Sequence, residues 1–262
     1  MPDFFDILCR TARKTVARGY YSGFAERDKP VDTAARLRLT ERIRRCVGLP
    51  LIAEVKVASP TMGVVHVDPG VIARCMQAGG AVGVSVVTEP RFFNGSSQLL
   101  GTVRSRVSVP LVMKDFIVSA RQIEAARDAG ANAILLIQAL FDRGYATRGP
   151  ADMIEFAHAL GLEVLLEAHT DSEFERALST DADLIGINNR DLRTLTVDLM
   201  TTRNILEKVP ADERVVVSES GVETPDEALF LKRCGADALL VGSALMRAED
   251  VRRAVNRVVS AA

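Results

Sequence analysis

This chain has few of the parts that metal and disulfide chemistry need. Its four cysteines (Cys9, Cys46, Cys75, Cys234) are widely scattered and include no C-x-x-C pair. That argues against a disulfide framework or a zinc knot and fits a reducing compartment. Its three histidines (His66, His158, His169) lack ligand spacing, so no metal site is expected and a zinc hydrolase is disfavoured. Neither a G-x-S-x-G elbow nor a Walker loop is present. No signal-peptide pattern opens the sequence and no apolar run is long enough to span a bilayer, so a cytoplasmic protein without membrane contact is expected. An excess of one charge is also missing, with 33 basic against 34 acidic residues and a net charge of −1. Nucleic acid is therefore not an expected partner. The basic cluster from Arg36 to Arg45 is interrupted by Glu41 and by apolar residues at helical spacing, and reads as a solvated helix face.

Lysine is scarce too, with six residues among the 33 basic ones. Two of them, Lys56 and Lys114, lie in runs that otherwise read as buried strands, Leu51–Val57 and Pro110–Phe116, each with a carboxylate close by. Leaving an ammonium in an apolar core costs several kcal/mol. A strand end that opens onto a solvated pocket avoids this cost, and such pockets are where acid–base chemistry occurs.

From residue 50 onward, short β-branched runs alternate with longer helical patterns. Candidate strands end near Val57, Thr88, Phe116, Gln138, Ala168, Asn189, Ser220 and Gly242, spaced roughly as βα units. Ala129–Ala133 and Cys234–Ala238 each stop a helix with glycine and start a strand. Thr224-Pro-Asp-Glu227 is a capping box with proline at the first helical position, and Asp68-Pro69 is a similar start. Eight such units predict a (β/α)8 TIM barrel over residues 51–262. A doubly wound sheet competes less well, because no G-x-G-x-x-G follows the first strand. Residues 1–50 read as a helical extension packed on the barrel, with helices over roughly 3–18 and 32–46.

Strand parity places the polar residues. Glu54 with Lys56, Lys114 with Phe116, Glu167 with His169, Asn188 with Arg190, and Glu219 with Gly221 each share a face. The opposite face (Val55, Val57, Met113, Val164, Leu166) is apolar and suits packing against helices. The ionisable set is therefore expected inside the barrel at its C-terminal mouth, where cations and carboxylates pair and neighbours push their pKa values apart. Ser218-Glu-Ser-Gly221 and Val241-Gly-Ser243 end the last two strands with glycine, a pattern suited to a phosphate site. His158 falls in a helical pattern and reads as structural. His169 reads equally well as a mouth residue or a solvated loop residue.

These residues carry a resemblance. Ile52–Lys56 with Ala58-Ser-Pro60, Ser85–Glu89 with Phe92–Ser96, Lys114–Ile117, Glu167 in Leu-Leu-Glu-Ala-His, Gly186–Leu192, Ser218–Gly221 and Val241–Met246 resemble, in order, the indole-3-glycerol phosphate synthases. The resemblance implies ring closure of 1-(2-carboxyphenylamino)-1-deoxyribulose 5-phosphate with loss of carbon dioxide and water, and no cofactor. It implies Lys114 as the acid at the carbonyl, with Lys56 and either Glu167 or Glu54 serving the dehydration. Asn188 and Glu219 would position the substrate, and Ser59 would also contact it. Arg190 would pair with the substrate's carboxylate or brace a glutamate. Phe93, Phe116, Leu135 and Leu195 would flank the aromatic ring, and Ser220, Gly221, Gly242 and Ser243 would hold the phosphate. The expected partner is one small phosphorylated molecule, and the expected state is a monomer, with a weak homodimer as the alternative. Val57 and Met62 stand where the family usually carries basic residues, which implies weaker substrate binding rather than lost chemistry.

Overall fold

Strand periodicity and glycine punctuation together produce a closed barrel. The computed structural model describes residues 3–22, 37–60, 63–65 and 67–261. Its barrel strands are β1 (Leu51–Val55), β2 (Gly83–Val87), β3 (Leu111–Lys114), β4 (Ala133–Ile137), β5 (Glu163–Ala168), β6 (Leu184–Asn188), β7 (Val215–Glu219) and β8 (Ala238–Val241). Each pairs in parallel with its sequence neighbours, and β8 returns to β1 through Ala53 opposite Val241. The eight-unit TIM barrel read from the sequence is the fold observed, and each strand ends within two residues of its expected end.

The two faces of the strands build two separate cores. Residues of one parity, including Val55, Met113, Val164 and Leu166, pack against the surrounding helices. Residues of the other parity, including Ile52, Val112, Leu165, Val217 and Leu240, fill the barrel interior. Because side chains alternate, a one-residue slip in any strand would exchange these sets, so burial on both faces pins the register.

Local signals start the outer helices where expected. Asp68 accepts from the backbone N–H groups of Gly70 and Val71 before helix Pro69–Ala78. Thr224 and Glu227 form a reciprocal capping box before helix Pro225–Arg233.

The N-terminal residues contribute helix α1 (Phe4–Ala17) and helix α2 (Leu39–Arg44). Asp3 and Asp6 form a capping box at the start of α1. This helix lies over the C-terminal mouth. Phe5 meets Phe116 just beyond β3 at a ring-centroid distance of 6.4 Å, and Arg143 pairs with Asp3 and Asp6 at 2.8 Å each. Helix α2 lies at the opposite end, where Glu163 at the start of β5 accepts from the Leu39 amide. This second helix is shorter than its sequence pattern: Leu37 and Arg38 are not helical, and positions 32–36 fall outside the described residues.

Candidate active site

The mouth of the barrel holds Glu54, Lys56, Lys114, Glu167, Asn188, Arg190 and Glu219, which strand parity directed inward. Glu54, Glu167, Asn188 and Glu219 are each no more than 5% exposed. The Lys114 ammonium bridges two of them, at 3.1 Å from Glu167 Oε2 and 2.6 Å from Glu219 Oε2. Asn188 donates from Nδ2 to the other Glu167 oxygen at 3.0 Å. Lys56 Nζ lies 2.9 Å from Glu54 Oε1. Strand register explains the gathering, since Asn188 stands opposite Glu219 on β6 and β7, and Ile137 opposite Glu167 on β4 and β5.

Glycines make the space for these carboxylates. A Cβ on Gly186 would fall on Glu219 Oε1, and one on Gly242 would fall on Glu54 Oε1. Each glycine lies in or just after a strand next to the acid it accommodates, so the mouth is shaped by missing side chains as well as by charged ones.

The electrostatics follow from burial opposed by partners. Burial lowers the Lys114 ammonium, but Glu219, Glu167 and Glu54 outweigh it and hold the group above the usual lysine range. Burial raises the Glu54 carboxyl, but Lys56, Lys114 and Arg190 bring it below the usual carboxylate range. For Glu219, burial and the neighbouring Glu167 prevail over Lys114, and its carboxyl is pushed up. Arg190 is lowered by burial, with Glu54 opposing.

Two lobes of one cleft meet at these charges. The first, about 600 Å³, has an apolar wall of Phe93, Phe116, Leu135, Ile137 and Leu192. The second, about 750 Å³, is formed by the backbone turns at Ser220, Gly221, Gly242 and Ser243. Glu54, Lys56, Lys114, Arg190 and Ser220 line both lobes. An amphipathic molecule with a planar apolar end and an anionic end would fit with its reactive middle at Lys114.

Phe93, Phe116 and Leu135 therefore stand in the apolar lobe, and the four expected phosphate residues in the other. Leu195 and Ser59 fall elsewhere. Leu195 has a left-handed φ of +64° and lines neither lobe; its carbonyl accepts from the Arg190 guanidinium at 2.8 Å, while Leu192 fills the wall. Ser59 belongs to a short antiparallel pair, Ala58–Ser59 with Gly63–Val64, and also lines neither lobe. Arg190 donates to the Leu195 carbonyl, and its charge also acts on Glu54 across the cleft. Val57 is buried and lines neither lobe; Met62 lies outside the described residues. His169 lines a side cavity of about 450 Å³ that shares Glu167 with the main cleft, and its Nδ1 lies 2.6 Å from the Asn188 carbonyl. His158 pairs with Asp183 on the outer surface.

Two further buried acids line the apolar lobe, Asp115 and Glu89, to which the sequence reading gave no role at the site. Asp115 accepts from the Tyr21 and Thr88 hydroxyls at 2.8 Å each, and burial pushes its carboxyl up to about 6. Glu89 accepts from the amides of Arg91, Phe92 and Phe93, which fixes the loop carrying Phe93. The available signal was an acid directly beside Lys114 and another directly before Pro90 at a strand end.

Known proteins resemble this chain. A family model described as indole-3-glycerol phosphate synthase matches residues 13–258. Indole-3-glycerol phosphate synthase of Burkholderia vietnamiensis is 40% identical over 264 aligned residues, covering 98% of this chain and 99% of the relative. The Halobacterium salinarum protein of the same name is 44% identical over 213 residues, covering 81% of each. Among solved structures, a thiamine phosphate pyrophosphorylase from Pyrococcus furiosus superposes with a TM-score of 0.60 at 19% identity, covering 84% of this chain and 96% of that one, a likeness of fold alone. With a family match along almost its whole length and relatives at this identity, the chain belongs to the indole-3-glycerol phosphate synthase family.

Proposed function

We propose that the two lobes hold opposite ends of one substrate, the carboxyphenyl ring in the apolar lobe and the phosphate in the other. The protein is an indole-3-glycerol phosphate synthase. It closes the ring of 1-(2-carboxyphenylamino)-1-deoxyribulose 5-phosphate and releases carbon dioxide and water. The observation that carries the assignment of roles is the Lys114 ammonium, braced between Glu167 and Glu219 where the lobes meet.

The chemistry assigns each residue a task. As the aromatic carbon attacks the ketone carbon, the carbonyl oxygen gains negative charge and needs a proton, which Lys114 donates. Its raised pKa keeps it charged at neutral pH, and two carboxylates hold it in place. Loss of carbon dioxide then restores the aromatic ring. Dehydration requires an acid for the departing hydroxyl and a base for a proton on the ring side. Lys56 serves as that acid. Glu167 is the better base, because the cations around Glu54 hold its carboxyl low and make it a weak proton acceptor. Asn188 orients Glu167 through the 3.0 Å hydrogen bond, and Glu219 orients Lys114.

Phe93 and Phe116 lie 6.4 Å apart between ring centroids and form the wall for the substrate's ring, with Leu135 and Leu192. Ser220, Gly221, Gly242 and Ser243 present backbone and hydroxyl groups to the phosphate. The same reading takes the enzyme as a cytoplasmic monomer, and four free cysteines fit that reducing compartment.

The test is direct. Adding the carboxyphenylamino-deoxyribulose phosphate to the folded protein should produce rising indole fluorescence. The chain contains no tryptophan, so the product's indole emission is read without tryptophan background. No signal from folded protein would overturn the assignment.

A further inference from the structure

Beside catalytic Asn188 stands a second asparagine of opposite parity, and it makes no contact with the cleft. Asn189 is 1% exposed and begins a closed ring of hydrogen bonds with two other buried side chains, Ser218 and Thr202. Asn189 Oδ1 accepts from the Thr202 amide at 3.2 Å and from the Thr202 hydroxyl at 2.8 Å. Its Nδ2 lies 3.1 Å from Ser218 Oγ and 3.0 Å from the Ser220 carbonyl oxygen. Thr202 Oγ1 and Ser218 Oγ are 2.7 Å apart.

The donor directions are fixed by chemistry. The Ser220 carbonyl can only accept and the Thr202 amide can only donate, so the side-chain amide of Asn189 has one possible orientation. Because the Thr202 hydroxyl gives its proton to Asn189, the Ser218 hydroxyl must give its own to Thr202. Nδ2 then donates to Ser218 and the ring closes, each bond polarising the next.

The remaining Nδ2 proton goes to the Ser220 carbonyl, which is the functional end of the arrangement. Ser220 has a φ of +69° and Gly221 a φ of +92°, two consecutive left-handed residues. A serine in that conformation is strained and needs a neighbour to hold it there. The Ser220 carbonyl and the Gly221 N–H belong to one planar trans peptide and point in opposite directions. Holding the carbonyl toward Asn189 therefore turns the Gly221 N–H the other way, and Ser220 and Gly221 both line the anion lobe.

We propose that Asn189 is a positioning residue for phosphate recognition: through the Ser220 carbonyl it aims the Gly221 N–H at the phosphate. This rests on the reading of the second lobe as the phosphate subsite. Asn189 touches neither substrate nor reacting atoms. Its effect is therefore on binding of the anionic end, while the chemistry at Lys114 is left intact.

The experiment compares Asn189→Asp and Asn189→Ala with wild type, using KM, kcat and competitive inhibition by inorganic phosphate. Both variants lose the donor to Ser220. KM and the phosphate inhibition constant should each rise about tenfold, the weight of one hydrogen bond to a charged group, with kcat changed by less than about threefold. Thr202→Val opens the ring but keeps the bond to Ser220. It should lower the melting temperature while leaving phosphate inhibition within about twofold of wild type. Asn189 variants with wild-type KM and phosphate inhibition overturn the proposal, as does a Thr202→Val enzyme with the same binding loss. Titrating phosphate into wild type while following the Gly221 amide by NMR needs no variant: a large downfield shift is expected, and an unmoved resonance overturns the inference. Failure of the underlying reading is distinct. If phosphate does not compete in wild type, or still competes in Ser243→Glu, then the lobe is not the phosphate subsite; if Ser243→Glu alone loses inhibition, only the role of Asn189 falls.

Discussion

Lys114 Nζ lies 2.6 Å from Glu219 Oε2, while the other oxygen of that buried carboxylate, Oε1, has no hydrogen-bond partner among the described residues and rests against Gly186. Glu219 is thus held by one cation and one patch of bare backbone. Gly186→Ala would drive a methyl group onto Oε1, so the buried Glu219 carboxylate must move away from its place against Lys114. Overpacking of this kind costs about 1–3 kcal/mol. We expect reduced stability in urea titration and a kcat lowered by about tenfold or more as Glu219 and Lys114 shift. A variant with wild-type stability and turnover would mean that the carboxylate is not positioned by that space.

The division of labour between Glu167 and Glu54 is open to a paired test. Glu167→Gln removes the proposed base but keeps a hydrogen-bonding group beside Lys114 and Asn188. Dehydration should fall by about 10²- to 10⁴-fold, the usual range for a general base, and single-turnover experiments should show a decarboxylated intermediate accumulating. Glu54→Gln should lose less, chiefly through a misplaced Lys56. The reverse ranking would transfer the base role to Glu54.

Asp115 gives the fold a pH dependence whose sign is fixed. Its carboxyl is raised from 3.8 to about 6, with burial as the largest cause. The folded state therefore binds more protons than the unfolded state between those values, and stability falls as pH rises through that window. The shift corresponds to an effect on the order of 3 kcal/mol. Urea unfolding of wild type and Asp115→Asn from about pH 4 to pH 7 should show wild type losing stability relative to the variant as pH rises; parallel curves would contradict the burial argument. Tyr21→Phe removes a hydrogen bond that lowers this carboxyl and should move the wild-type loss to higher pH.

The barrel and most of its mouth were legible because strand parity is rigid. Once Glu54, Lys114, Glu167 and Glu219 were placed on strands, alternation sent all four inward. Leu195 could not be read in the same way, because a left-handed residue in the loop after β6 reverses the local direction and puts Leu192 in the wall instead. Ser59 lies in a short antiparallel pair outside the barrel strands, so strand parity says nothing of its direction. The amphipathic pattern of α1 marked a packed helix but carried no information about which end of the barrel it covers. That is decided by distant partners such as Phe116 and Arg143. Asn189 and Asp115 face away from the parity that flagged their neighbours, so their partners, Thr202 and Ser218 for one and Tyr21 and Thr88 for the other, emerge only in three dimensions.

A lysine at a barrel mouth can also act as a nucleophile toward a ketone, but that requires a neutral amine. The three carboxylates around Lys114 hold it charged. Borohydride treatment with substrate present should leave the protein mass unchanged. A reduced adduct on Lys114 would replace general-acid catalysis with Schiff-base chemistry.

The central claim is that Lys114 is the acid of ring closure, and the most direct measurement is the turnover of Lys114→Ala followed by indole fluorescence beside substrate binding. The account predicts a kcat lowered by about 10³-fold or more with substrate affinity within about tenfold of wild type. A variant that turns over like wild type would contradict it.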